Sequence, residues 1–220
     1  MQTLLRFALY PLVCLLGFTS NCATALDDAG HQRLVSVQAR WAEIQYKTPA
    51  AQQPAAFAKL ALETTELTRT EPKSAEAWIW QGIVSSSWAG AVGGLGALGK
   101  IKDARAALEK ALQLDPSALQ GSAYTSLAVL YEQAPGWPIS FGDAAKAETL
   151  LHSALQLNPN GIDSLYFWGD HLYREGRYAD AQRALLKAQQ APPRPGRAVA
   201  DAGRHQDIDE LLRDVQKKLH

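Results

Sequence analysis

The chain has 220 residues, 22 lysines and arginines against 22 aspartates and glutamates, and a formal net charge of zero at neutral pH with histidine uncharged. Such a balance offers no basic field for nucleic acid or for anionic lipid, so neither is expected as a partner. The length suits one domain with a sizeable core.

The first element in chain order is a leader. Arg6, the apolar run Phe7 to Phe18 and the small-residue ending Ala23-Thr24-Ala25 read as a secretory signal peptide over residues 1–25, which places the mature protein in the periplasm. An uncleaved anchor is the alternative, but the apolar run falls short of the roughly 20 residues that cross a bilayer. Lipidation at Cys22 is a further alternative, although Thr19-Ser20-Asn21 is a poor match to the small-residue pattern before such a cysteine. Both cysteines, Cys14 and Cys22, lie in this leader, so the mature chain has no thiol to pair or to offer a metal.

From residue 26 onward apolar residues recur at three- and four-residue spacing and no window alternates, so the class is all-α. Nine helices are expected, near 29–47, 54–70, 74–90, 102–114, 120–133, 143–157, 161–174, 178–190 and 203–219. Pro49, Pro54, Pro72, Pro116, Pro135, Pro138, Pro159 and the Pro192 to Gly196 run punctuate them, since proline cannot continue a preceding helix. The last helix carries one apolar stripe, Ile208, Leu211, Leu212, Val215 and Leu219.

Repetition is the strongest signal. Ala-Leu-Gln-Leu-Asp-Pro ends at Pro116 and Ala-Leu-Gln-Leu-Asn-Pro at Pro159, and Ala147, Leu151 and Ala154 land on Ala181, Leu185 and Ala188 under the 34-residue step from Pro159 to Pro193. That step is the tetratricopeptide period, and the earlier units read as the same unit with insertions of about ten residues. The clearest unit spans Ile162 to Pro193. Gly169 and Ala181 are small where its two helices cross, while Leu165, Trp168, Leu172 and Leu185 fill the surrounding space. Gly82 with Ala104, Leu108 and Ala111, and Ala128 with Ala147, Leu151 and Ala154, take the same roles in the two units before it. The organisation expected for residues 26–220 is therefore a single right-handed helical-repeat domain: a degenerate pair at 29–70, repeats near 75–116, 121–159 and 162–193, and a closing helix at 203–219.

Particular motifs narrow this. Pro135-Gly136-Trp137-Pro138-Ile139-Ser140-Phe141-Gly142-Asp143, Asn158 to Asp163, Tyr166-Phe167-Trp168-Gly169-Asp170 and Ala191 to Arg204 resemble exported bacterial tetratricopeptide proteins related to the T component of TRAP transporters. The resemblance covers roughly residues 72–219 and is strongest after Pro135. It implies a periplasmic helical protein with a pore or groove for an apolar ligand, working beside a substrate-binding protein of the transporter. The chain departs from the lipoprotein members in lacking a good lipidation site. In that family the inner wall is the face of each first helix turned away from its core contacts, which by matching registers would be Ile79, Ile83, Thr125, Val129, Tyr166, Asp170 and Tyr173 here. Such a wall suits an apolar molecule with a polar end, or a helical peptide.

Two further clusters have competing readings. Gly93 to Lys100 contains Gly-x-Gly-x-x-Gly, but a helix precedes it and Ile101 stands where a phosphate loop needs a hydroxyl, so nucleotide binding is rejected. The segment reads as a small-residue extension between paired helices, or, through Ala91, Val92, Leu95 and Leu98, as the lining or lid of an apolar cavity. Asp170 is expected to pair with Arg174 or Arg204 unless it faces the groove. Arg194, Arg197, Asp201 and Arg204 read as a network stitching the closing helix to the last repeat, with partner binding as the alternative.

Nothing points to catalysis. His31, His152, His171, His205 and His220 are dispersed without metal-ligand spacing, and no Gly-x-Ser-x-Gly elbow occurs. Asp27-Asp28 and Asp207, Asp209 and Glu210 read as helix-start acids that complement the helix dipole. No cofactor is expected. The functional expectation is a binding or scaffold protein, and the rival is an envelope assembly adaptor that works through protein contacts without a small ligand.

Overall fold

The computed structural model describes residues 26–220, so the expected signal peptide and the alternative of lipidation at Cys22 lie outside the described residues. Within them the protein is all-helical, with no named strand. The helices are α1 (Asp28–Lys47), α2 (Gln53–Thr70), α3 (Ala75–Val92), α4 (Ala97–Leu114), α5 (Ala118–Gln133), α6 (Ala144–Leu157), α7 (Ile162–Arg174), α8 (Tyr178–Gln189) and α9 (Ala198–Leu219). No helix among the described residues is long and apolar enough to cross a membrane.

Local chemistry sets several starts. Asp27 accepts from the Gly30 amide at 2.6 Å, Ser74 from Ala77 at 3.2 Å and Asp143 from Lys146 at 3.0 Å, each satisfying one of the donors a helix start leaves free. Two starts differ from expectation. α4 begins at Ala97 rather than near 102, because the glycine-rich stretch is mostly helix: α3 runs on to Val92, a single 3₁₀ turn at Gly94–Gly96 reverses the chain, and α4 resumes at once. Gly93 and Gly94 make that reversal in the left-handed region, at φ 65° and 53°. α9 begins at Ala198 rather than near 203, directly after the Pro-rich turn.

Each helix packs on the next. α3 lies on α4, α5 on α6 and α7 on α8, and α2 with α3, α4 with α5 and α6 with α7 join these pairs. The pairs close on small residues. A Cβ on Gly82 would sit 2.4 Å from Leu108 Cγ, and one on Gly169 would sit 2.7 Å from Leu185 Cγ. In both pairs a leucine of the second helix therefore lies against the bare backbone of the first, flanked by fully buried alanines, Ala104 and Ala181. Trp168 packs against both apolar clusters, one reaching from α1 to α6 and the other from α7 to α9, and so joins the last helices to the rest.

The array also closes on itself. α9 packs on α8 and α7 and reaches α1, so the first and last helices meet. At that meeting Gly203 is covered by the Tyr46 ring, where an added Cβ would fall 2.3 Å from Cγ. Tyr46 donates to Asp207 across the same seam at 3.1 Å.

Gly82→Ala should destabilise by about 1 to 3 kcal/mol despite alanine's better helix propensity, because Leu108 must move. The penalty should largely vanish in a Leu108→Ala background, giving a clear coupling energy in urea unfolding followed by circular dichroism. Additive effects of the two substitutions would show that the contact is not what sets the spacing of α3 and α4.

Candidate functional site

The helices that begin each pair leave space on their shared inner side. A cavity of about 430 Å³ lies between α1, α3, α5, α7 and the start of α9. Trp41 from α1 and Trp80 from α3 meet edge to face, with ring centroids 5.9 Å apart, and Trp41 Nε1 donates to Ser87 Oγ at 2.8 Å. Ile83, Thr125, Val129 and Phe167 continue the wall, and Ser122 and Ser126 add hydroxyls. The lining follows helical stripes: 80, 83 and 87 on α3, then 122, 125, 126 and 129 on α5, then 163, 164 and 167 on α7.

The seven residues expected on an inner wall divide accordingly. Ile83, Thr125 and Val129 come together on this cavity. Ile79 does not: it is fully buried in the core, one position off the stripe that Trp80 and Ile83 define. On α7 the open stripe runs through Asp163, Ser164 and Phe167. Tyr166 instead lies under the Arg204 guanidinium at 4.4 Å, and Tyr173 packs on Tyr178 at 5.6 Å. Asp170 borders a small crevice with Val129 and Phe167 and pairs with Arg174 at 2.9 Å, not with Arg204.

Arg204 is taken by other groups, in a charge cluster at the rim. Asp163 uses one carboxylate oxygen for Arg204 Nε at 2.8 Å and the other for Arg194 at 2.6 Å. Arg194 also donates to Asp201 through Nε at 2.7 Å and through its backbone amide at 2.8 Å, and Arg204 reaches Asp207 at 2.9 Å. Burial alone would raise the Asp163 carboxyl, but the charges of Arg204 and Arg194 outweigh it and hold the group well below the ordinary carboxylate range. Asp207 moves the other way, raised by burial first, with Arg204 opposing. It lies midway along α9 inside this cluster, not at a helix start on a solvated surface as expected from sequence, because α9 begins five residues earlier.

Arg197 was grouped with these residues by sequence, yet it stands apart from them. Its guanidinium lies over the Trp80 ring at 5.0 Å and enters none of the ion pairs that join Arg194, Arg204 and the three aspartates. The rim has a second unusual feature. Leu119 and Gln120 adopt left-handed backbone at φ 46° and 56°, a conformation costing about 1 to 3 kcal/mol for residues with a Cβ. Asn158 holds the turn by donating to Gln120 Oε1 at 2.9 Å, and all three residues line the cavity. Gly121 continues the same left-handed run at φ 78° and is its one sign in the sequence, since Leu119 and Gln120 are residues that rarely adopt it.

Deeper in, His171 and Glu132 join α7 to α5 through a 2.8 Å contact at Nδ1, with His171 stacked on Trp168 at 5.6 Å. Among the described residues no group of three histidine, cysteine or carboxylate side chains is arranged to hold a metal ion.

A second cavity of about 490 Å³ is separate in character and mainly apolar, with Ser86 and Gln133 as its polar side chains. It lies between the glycine-rich turn and the α5–α6 loop, lined by Leu95, Leu98, Ile101, Leu130 and Ile139 among others. Of the four insertion residues expected to line a cavity, Leu95 and Leu98 do so and Ala91 and Val92 do not, because the helical continuation of α3 turns them aside. Ser86 borders both cavities.

No protein-family model and no curated protein matches the chain.

Asp163→Asn should cost about 2 kcal/mol, less than a fully buried pair because a third of the side chain stays exposed. The pH dependence follows from the lowered carboxyl: its stabilisation is complete above the unfolded value near 4 and is lost as pH falls toward the folded one. Thermal unfolding between pH 6 and 2 should therefore fall more steeply for the wild-type protein than for Asp163→Asn, and parallel curves would remove Asp163 as the source.

Proposed function

We propose that this chain is a non-enzymatic binding or scaffold protein of the periplasm, built as a right-handed tetratricopeptide-type repeat, whose inner cavity holds an apolar ligand or a segment of a partner protein. One observation carries the reading: the helical part of the wall comes from α1, α3, α5, α7 and α9, while α2, α4, α6 and α8 contribute no residue from within their helices, Asn158 lining it from the cap that follows α6. Alternate helices facing one hollow is what stacked helical hairpins produce. The common contacts of Gly82 with Leu108 and Gly169 with Leu185 support the same unit in two places. Indole, aliphatic and hydroxyl groups share the wall, the mixture that binds a largely apolar molecule and orients its polar end.

The more specific role, an accessory of a TRAP-type transporter beside its substrate-binding protein, comes from the sequence resemblance alone. A second reading, an assembly adaptor without a small ligand, is favoured by a different observation. Trp137 is 90% exposed, Leu95 86% and Ile139 63%, and the latter two border the apolar second cavity. Large apolar side chains left in water so close together mark contact surfaces more often than chance.

The neutral fluorophore N-phenyl-1-naphthylamine tests the first reading. Replacing Ile83 and Val129 together by aspartate should weaken its uptake on the order of tenfold or more, by placing charge on the apolar wall. The helical circular dichroism spectrum should be unchanged, since both residues face the cavity. Undiminished uptake in a folded variant removes the cavity as the binding site.

A further inference from the structure

One guanidinium on the cavity wall enters none of the ion pairs of the rim. Three guanidiniums, those of Arg194, Arg197 and Arg204, lie on its wall with one carboxylate, that of Asp163. Arg194 and Arg204 are committed to Asp163, Asp201 and Asp207. Arg197 has no ion pair or side-chain hydrogen bond among the described residues, and its Nε is buried without a partner. Burial disfavours its charge and the repulsion of Arg194 adds to that, while Asp163 and Asp201 ease it through space without touching it. A guanidinium stays protonated regardless, so the Arg197 fork has a local demand for an acceptor, in a site where three arginines and three aspartates otherwise balance.

The surroundings repeat that demand. Trp80, on whose face Arg197 rests, is 3% exposed, and its Nε1 is also buried without a hydrogen-bond partner. It lines the same cavity. The cavity is also bordered by Ile162, Asp163 and Ser164, the first turn of α7, where no side chain caps the free amides and where the Asp163 carboxylate faces its own arginine partners. The Trp80 ring holds the guanidinium by its face, and with Nε buried the two terminal nitrogens are the donors left for a ligand.

We propose that the cavity binds an organic monocarboxylate, its carboxylate on the Arg197 fork and its apolar body against Ile83, Val129 and Phe167. This assignment rests on the cavity reading above and supplies the polar end that reading leaves unspecified. A single negative charge is indicated because one guanidinium is free. A dianionic phosphate would set its second charge near Asp163 without a cation to meet it. A carboxylate is indicated by the planar fork, which it matches with two parallel hydrogen bonds. The apolar body is indicated by the remaining wall.

Isothermal titration of the purified protein with octanoate, 1-octanol and octyl phosphate at neutral pH tests this. Octanoate should bind saturably with one site and more tightly than either comparator. Arg197→Gln should weaken octanoate by about tenfold to a hundredfold, the worth of a charge-assisted hydrogen bond, and leave 1-octanol unchanged. Arg197→Lys, which keeps charge but loses the fork, should fall between; it also decides the matter should the glutamine variant not fold, since undiminished octanoate binding there overturns the assignment. Equal octanoate affinity in wild type and Arg197→Gln, or tighter binding of octyl phosphate than octanoate, overturns the carboxylate anchor while leaving an apolar cavity in place. Failure of all three probes to bind the wild type defeats the cavity reading itself.

Discussion

Asp163 shared between Arg194 and Arg204 is the contact on which the closed form of this protein depends. The three side chains come from α7, from the turn after α8 and from α9, and each carboxylate oxygen takes one guanidinium. Arg204 is nearly buried while Asp163 and Arg194 keep about a third of their side chains in water, and the two-sided pairing ties α9 to α7 at one point. With α9 held in that position, Gly203 seats under Tyr46 and Asp207 receives the tyrosine hydroxyl, which brings the last helix onto the first. Stacked hairpins without that return would present an open curved face. With it they surround a cavity.

The hollow and the core are products of the same packing. Where helices pair, glycine lets a leucine of the second helix reach the backbone of the first, and the side chains around that contact leave no room. The opposite stripe of each first helix has no partner at that distance. Its residues are therefore free to be mixed in character, and they are: tryptophans, hydroxyls, aliphatic side chains and guanidiniums share one wall. The strained turn at Leu119 and Gln120 belongs to that wall as well, held by Asn158 at the far end of α6. The same left-handed run continues through Gly121, whose bare backbone lies against Leu157, so packing on α6 holds the turn in place beside the cavity.

Arg197 illustrates how a residue's role is set by its distance from its neighbours. Arg194 and Arg204, three and seven residues away along the turn and helix, find aspartates and become structural. Arg197 points instead onto Trp80 and keeps its donors for something else. The exposed Leu95, Trp137 and Ile139 are a different kind of surplus, apolar surface left in water, two of them bordering the second cavity.

Periodicity and punctuation are local properties, and so the number and order of helices, the small-residue contacts of Gly82 and Gly169, and the α-helical class were all legible from residue spacing alone. Helix starts at Ala97 and Ala198 were less so, because glycine and proline near a boundary show that the chain turns without showing how soon the helix resumes. The inner wall was half legible. Ile83, Thr125 and Val129 follow from register, whereas Ile79, Tyr166 and Tyr173 were misplaced because a helix rotated by one residue turns a stripe by about 100°. Only the tertiary structure decided that α9 meets α1, that Asp163 rather than Asp170 answers Arg204, and that Arg197 is left without an anion. Those facts depend on contacts between residues far apart in the chain, whose distances no local pattern encodes.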